Sequence, residues 1–164
     1  MQITFQGGAL SLKGTQLKVG DTFPNFTVTK NDLSPLTLAD TSGVRIFLAV
    51  PSLDTPVCDI EIMTFNKRAG EIPGVSIYTV SADLPFAQGR WCGANTVESL
   101  ITVSDYKDRS FSEVTGTFIN ELALLTRAAF VVDANGVVTH VEYLKEITEQ
   151  PDFDAILAAA KSIA

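Results

Sequence analysis

Ile46-Phe47-Leu48-Ala49-Val50, followed by Pro51-Ser52-Leu53-Asp54-Thr55-Pro56-Val57-Cys58, is the stretch that decides the fold. The five apolar residues read as a buried strand. The segment after them, Asp59 to Ala69, reads as an amphipathic helix. Cys58, Ile62, Phe65 and Ala69 step by four, three and four and so share one helical face. A cysteine therefore stands where a strand ends and a helix begins. Its sulfur faces unpaired backbone N–H groups and the positive end of the helix dipole, and both favour the reactive thiolate. That helical face must pack on the sheet. Cys58 is thus expected to point inward, onto the floor of a pocket.

Outward from this junction, Gly70 and Pro73-Gly74 close the helix, and Val75–Ser81 alternates as a second strand. Strand, helix and strand at this spacing make a parallel βαβ unit. A short helix follows, with Asp83 as its expected N-cap and Pro85 in its first turn, running towards Arg90-Trp91-Cys92-Gly93. Gly93 to Glu98 reads as loose and polar. Leu100–Ser104 is a further strand, and Phe111–Phe118 is a short helix weakened by Gly116. Ala128–Val132 and Val137–Leu144 form an antiparallel hairpin through Asp133-Ala134-Asn135-Gly136. Phe153, Ile156, Leu157, Ala160 and Ile163 mark a last helix with Asp152 near its start. Ahead of the junction, Thr27–Thr29 and Leu36–Leu38 are two short strands around Asn31-Asp32. Residues 1–19 alternate weakly on either side of Gly7-Gly8 and form a small hairpin. The expectation is one α/β domain over residues 1–164, with a central mixed sheet, helices on both faces and an N-terminal β-hairpin.

Composition narrows the function classes. The 164 residues are 46% hydrophobic and 19% charged, with a net charge of −7. No cluster of Lys or Arg exists, which argues against nucleic acid or an anionic membrane surface as partner. No segment approaches the roughly 18 apolar residues of a membrane span. The start of the chain has neither a positive region nor an apolar run, so a cytoplasmic location is expected. Two cysteines and one histidine are too few for a metal site. In a cytoplasmic chain, two cysteines point to reversible redox use or to plain buried thiols, and seldom to a permanent disulfide.

Pro51, Thr55 and Cys58 match the peroxiredoxin pattern of Pro, three residues, Thr or Ser, two residues, Cys. The longer string PSLDTPVC resembles the thiol peroxidase subfamily of peroxiredoxins, the atypical two-cysteine type. SADLPFAQGRWCG at Ser81–Gly93 is similar to that subfamily's second signature, with Cys92 lying 34 residues after Cys58. TRAAFVVD at Thr126–Asp133 resembles the strand that carries the family's active-site arginine, here Arg127. Asn120–Leu125 matches nothing specific to the family. The resemblance implies a thioredoxin-like fold in its peroxiredoxin elaboration, no cofactor, thioredoxin as reductant and a homodimer. Its implied catalytic residues are Cys58, Cys92, Thr55, Arg127 and Pro51.

The implied chemistry has clear physical needs. A thiolate attacking a hydroperoxide requires donors for both peroxide oxygens and a cation where negative charge develops. Cys58 supplies the sulfur, Thr55 a hydroxyl beside the sulfur or the peroxide, and Arg127 the fixed charge. Pro51 and Pro56 stiffen the loop. Attack leaves a sulfenic acid, which condenses with a nearby thiol, and Cys92 is the other thiol of the chain. With one cysteine opening a helix and the other ending one, the bond requires local unfolding, and oxidation is expected to raise protease sensitivity near residues 90–98. Asp54, Asp59 and Glu61 pull the other way, because carboxylates disfavour a thiolate. Asp54 reads as a helix cap, Asp59 and Glu61 as partners of the helix dipole, and Asp59 as turned outward. Leu53, Phe86 and Trp91 hint at an apolar lining, although core packing explains them equally. His140, in an alternating strand, reads as a solvent or core histidine. Two other functions remain open: a redox-switched binding protein, and a thioredoxin-type disulfide oxidoreductase. The latter is disfavoured by the lack of Cys-x-x-Cys.

Overall fold

The computed structural model describes residues Met1–Ala164. Its backbone is a seven-stranded sheet in the order β10-β9-β5-β6-β7-β3-β4. The strands are β3 (Thr27–Thr29), β4 (Pro35–Thr37), β5 (Arg45–Ala49), β6 (Ser76–Ser81), β7 (Ile101–Ser104), β9 (Ala128–Val132) and β10 (Val138–Tyr143). β5 pairs in parallel with β6, and β6 with β7, as right-handed crossovers require. β9 enters antiparallel on the other side of β5, with Ala49 opposite Ala128. The sheet is therefore mixed, with β5 in its interior between β9 and β6.

Both faces of β5 are buried, and the strand alternates between two cores. Ile46, Leu48 and Val50 join Ala129 and Val131 beneath three helices: α1 (Pro56–Arg68), α2 (Pro85–Asn95) and α4 (Phe153–Ile163). Phe47 and Ala49 face the opposite way, into an aromatic cluster with Phe23, Phe26, Phe130 and Phe111 of α3 (Ser110–Thr115). Phe23 stacks on Phe47 with ring centroids 4.8 Å apart. Helices thus lie on both faces, as the strand and helix order predicts.

A second, three-stranded sheet joins β1 (Gln2–Phe5), β2 (Gly8–Lys13) and β8 (Phe118–Ile119). The hairpin turn is Gln6-Gly7, both at positive φ, because Gly8 already pairs with Phe5. That is one residue earlier than Gly7-Gly8.

Three other boundaries differ from expectation. Helix α1 starts at Pro56 instead of Asp59, because Thr55 caps it and proline suits its first position. Helix α2 continues through Gly93 to Asn95, where a loose segment was expected. The Asn95 side chain donates to the Trp91 carbonyl, and Thr96 closes the helix in the left-handed region. Gly116 does not weaken α3 from within; it terminates it at φ 66°.

Candidate active site

Thr55 sets the geometry of Cys58. Its backbone is extended, and its Oγ1 accepts the Cys58 N–H at 3.2 Å while donating to the Ser52 carbonyl at 3.2 Å. Asp54, read from sequence as the cap, is exposed and does not cap. Cys58 becomes the third residue of α1 and is fully buried. Its side chain points along the face of Ile62 and Phe65, into the core between α1 and the sheet.

The cation arrives from β9. Arg127 immediately precedes that strand, and the β5–β9 pairing carries it under the start of α1. Its Nη2 donates to Cys58 Sγ at 3.2 Å, its Nε to the Ile147 carbonyl at 2.9 Å, and its Nη1 to Glu61 Oε2. The guanidinium is 2% exposed, so three directed bonds hold it where solvent barely screens it. A fixed positive charge against the sulfur stabilises the thiolate and then any oxyanion formed beside it.

Glu61, read from sequence as a partner of the helix dipole, is a core residue. It is fully buried on the Cys58 face, paired with Arg127, and its Oε1 has no partner. Burial pushes its carboxyl up to about 7, against the pull of the Arg127 guanidinium. Its spacing was the available signal, since three residues from Cys58 is the same helical face. Asp59 behaves differently. It is half-buried and accepts the Trp91 Nε1–H at 3.2 Å, which joins the residue after one cysteine to the residue before the other.

The mouth of the site is a depression of about 50 Å³ lined by Pro51, Thr55, Val57, Arg127, Ile147, Thr148 and Phe5. Phe5 comes from the N-terminal hairpin. Strand β1 is moored there by Glu146, whose carboxylate accepts from the Gly7 N–H, the Thr4 hydroxyl and the Thr148 N–H. Of the apolar residues expected at the opening, Leu53 and Trp91 line a neighbouring hollow with Pro56 and Asp59. Phe86 lines neither and is 68% exposed on the first turn of α2.

Cys92 lies in the last turn of α2, half-buried, with Sγ 3.3 Å from Thr102 Oγ1 on β7. Both cysteines are free thiols. Cys58 lies in the first turn of α1 against Arg127 and Cys92 in the last turn of α2 against Thr102, so a bond between the two sulfurs requires each to leave its partner. Asp83 does not cap α2 either. Its carboxylate accepts from Ser52, Leu53 and Ser81 instead. His140 sits on β10 beside Glu142, at 3.9 Å. The site therefore gathers Cys58, Thr55, Arg127, Pro51 and the unforeseen Glu61, while Cys92 waits on a separate helix.

Comparison with known proteins agrees in family and in fold. The Redoxin family matches residues 18–157. A thiol peroxidase of Clostridium acetobutylicum is 55% identical over 162 residues, covering 99% of both chains. The thiol peroxidase of Bacillus subtilis is 48% identical, covering 99% of this chain and 98% of its own. The crystal structure of a peroxiredoxin-like protein from Aquifex aeolicus superposes with a TM-score of 0.93 at 35% identity, covering 99% of this chain and 97% of that one.

Proposed function

The chain belongs to the redoxin family, among the thiol peroxidases, and from that premise we propose how its residues divide the work of reducing a hydroperoxide. The thiolate of Cys58 attacks the peroxide oxygen. The S–O bond forms as the O–O bond breaks, and the departing alkoxide or hydroxide takes a proton and leaves as alcohol or water. Arg127 stabilises the thiolate and the charge developing on the leaving oxygen. Thr55 and Pro51 hold the loop in place. Cys92 then attacks the sulfenic sulfur, giving a disulfide and water. A dithiol reductant of the thioredoxin type returns both thiols. The carrying observation is the 3.2 Å contact between Arg127 Nη2 and Cys58 Sγ. The mixed lining of the mouth, with Phe5, Pro51, Val57 and Ile147, supports organic hydroperoxides alongside hydrogen peroxide. The working assembly in this reading is a cytoplasmic homodimer.

The test is stopped-flow thiol loss after adding one equivalent of hydroperoxide to the reduced chain. The expected result is loss of two thiols, far faster than with free cysteine. Cys58→Ser should abolish it, and Cys92→Ser should leave a sulfenic acid that forms but does not resolve. A rate no greater than that of free cysteine would reject the peroxidase.

A further inference from the structure

Disulfide formation requires two separate segments to come loose, the first turn of α1 and the end of α2. The structure joins them through one carboxylate. Asp83 Oδ1 accepts from Ser52 Oγ at 2.7 Å, and Oδ2 accepts from the Leu53 N–H at 2.8 Å and from Ser81 Oγ at 2.7 Å. Ser52 and Leu53 belong to the loop that leads to Cys58. Asp83 itself lies two residues before α2, and its carbonyl accepts from Ser104 Oγ. On the far side, Ser81 Oγ accepts from Gln88 Nε2 at 2.9 Å. Gln88 is fully buried on α2, where its amide also reaches the Val103 carbonyl. Cys92 follows Gln88 by one helical turn.

This network runs from the Cys58 loop through Asp83 and Ser81 to Gln88 and so to the helix of Cys92. Opening the loop removes two of the three donors from a partly buried carboxylate. That carboxylate then disfavours the packed arrangement of Ser81 and Gln88, and α2 is held less firmly. By linkage, release of α2 loosens the loop to the same extent. We propose that Asp83 is a positioning residue that clasps the Cys58 loop to the root of the Cys92 helix, so that the two cysteines open together. This rests on the division of labour between Cys58 and Cys92 given above.

In Asp83→Asn the amide nitrogen meets one of the donors, and the clasp weakens by roughly tenfold. Two rates then move in opposite directions. Sulfenic acid formation, measured in a Cys92→Ser background, should slow several-fold because the loop is less often in its attacking form. Disulfide formation, measured with both cysteines present, should accelerate about tenfold because opening is easier. Ser52→Ala removes one donor and should shift both rates the same way by less, which keeps the inference testable if Asp83→Asn folds poorly. Hydrogen exchange supplies an independent readout. The amides of Leu53 and of residues 92–97 should speed up together while those of β9 stay protected. Slower disulfide formation in both variants, or faster exchange in one segment alone, would overturn the inference. If the wild-type chain reacts with peroxide and the variants match it in both steps, only this inference fails. If the wild-type chain does not react, the peroxidase reading fails with it.

Discussion

Replacing Glu61 by Gln asks whether the buried acid titrates with the fold. Glu61 is fully buried against Arg127, with Cys58 Sγ on the other side of the guanidinium and the charge of Glu142 also felt. Burial raises its carboxyl from 4.5 to about 7. The folded chain therefore keeps a proton on Glu61 across a range in which the unfolded chain has lost it. The stability this confers is complete below about 4.5 and disappears as the pH climbs through about 7. At about 1.4 kcal/mol per pH unit for one proton, the window is worth about 3 kcal/mol. Urea denaturation of the reduced wild type, followed from about pH 4.5 to pH 8, should show that loss superposed on other titrations. Glu61→Gln lacks the proton, and its profile should be flatter by about 3 kcal/mol over the same range. The variant also changes the hydrogen-bonding partner of Arg127, a cost that does not vary with pH while Glu61 is protonated. Comparing the slopes removes that offset. Parallel profiles, agreeing within about 1 kcal/mol, would refute the reasoning.

Arg127→Met should slow thiol loss to peroxide by roughly a hundredfold or more, as removal of a directed oxyanion donor does; a change under threefold in stopped flow would mean that the cation does not act at the sulfur. Thr55→Val deletes the oxygen that accepts the Cys58 N–H and should cost about 1 kcal/mol in calorimetric stability, with Thr55→Ser restoring most of it. Glu146, half-buried, is held down to about 2 by the N–H groups of Thr148 and Gly7 and by the hydroxyls of Thr148 and Thr4. The mooring of the hairpin should therefore hold above the ordinary 4.5 and be lost as the pH falls towards about 2. Exchange of the Gly7 amide should accelerate on acidification in the wild type, and lose that pH dependence in Glu146→Gln. Oxidation should increase cleavage within residues 90–98 in limited proteolysis; equal cutting of the two redox forms would count against local unfolding of α2.

The strand-to-helix junction, the βαβ unit and the late hairpin were legible because period and punctuation agree there. Ile46–Val50 has no polar residue to place outside, and Thr55-Pro56 is a cap followed by a first helical residue. What escaped were side chains whose chemistry suits two environments. Glu61 fits a solvated first turn as readily as a buried pair, and only its three-residue spacing from Cys58 separates the two. Asp83 beside Leu84-Pro85 has the form of a helix cap, yet its acceptors are used by a loop about 30 residues upstream. The Asp59–Trp91 bond depends on how α1 and α2 lie against each other, which no local pattern encodes. Arg127 was placed by resemblance, since the pattern of β9 alone reads as an ordinary core strand with a charge at its end.

The position of β9 beside β5 has a consequence for how the chain is made. Cys58 leaves the ribosome well before Arg127, and β5, α1 and β6 can assemble while β9 is still unsynthesised. During that interval the sulfur has its helix but not its cation, and Glu61 has no partner to justify burial. The thiol meets its charged partner only when β9 docks and delivers the guanidinium. The pairing of β9 with β5 thus extends the sheet and completes the surroundings of the sulfur in one step.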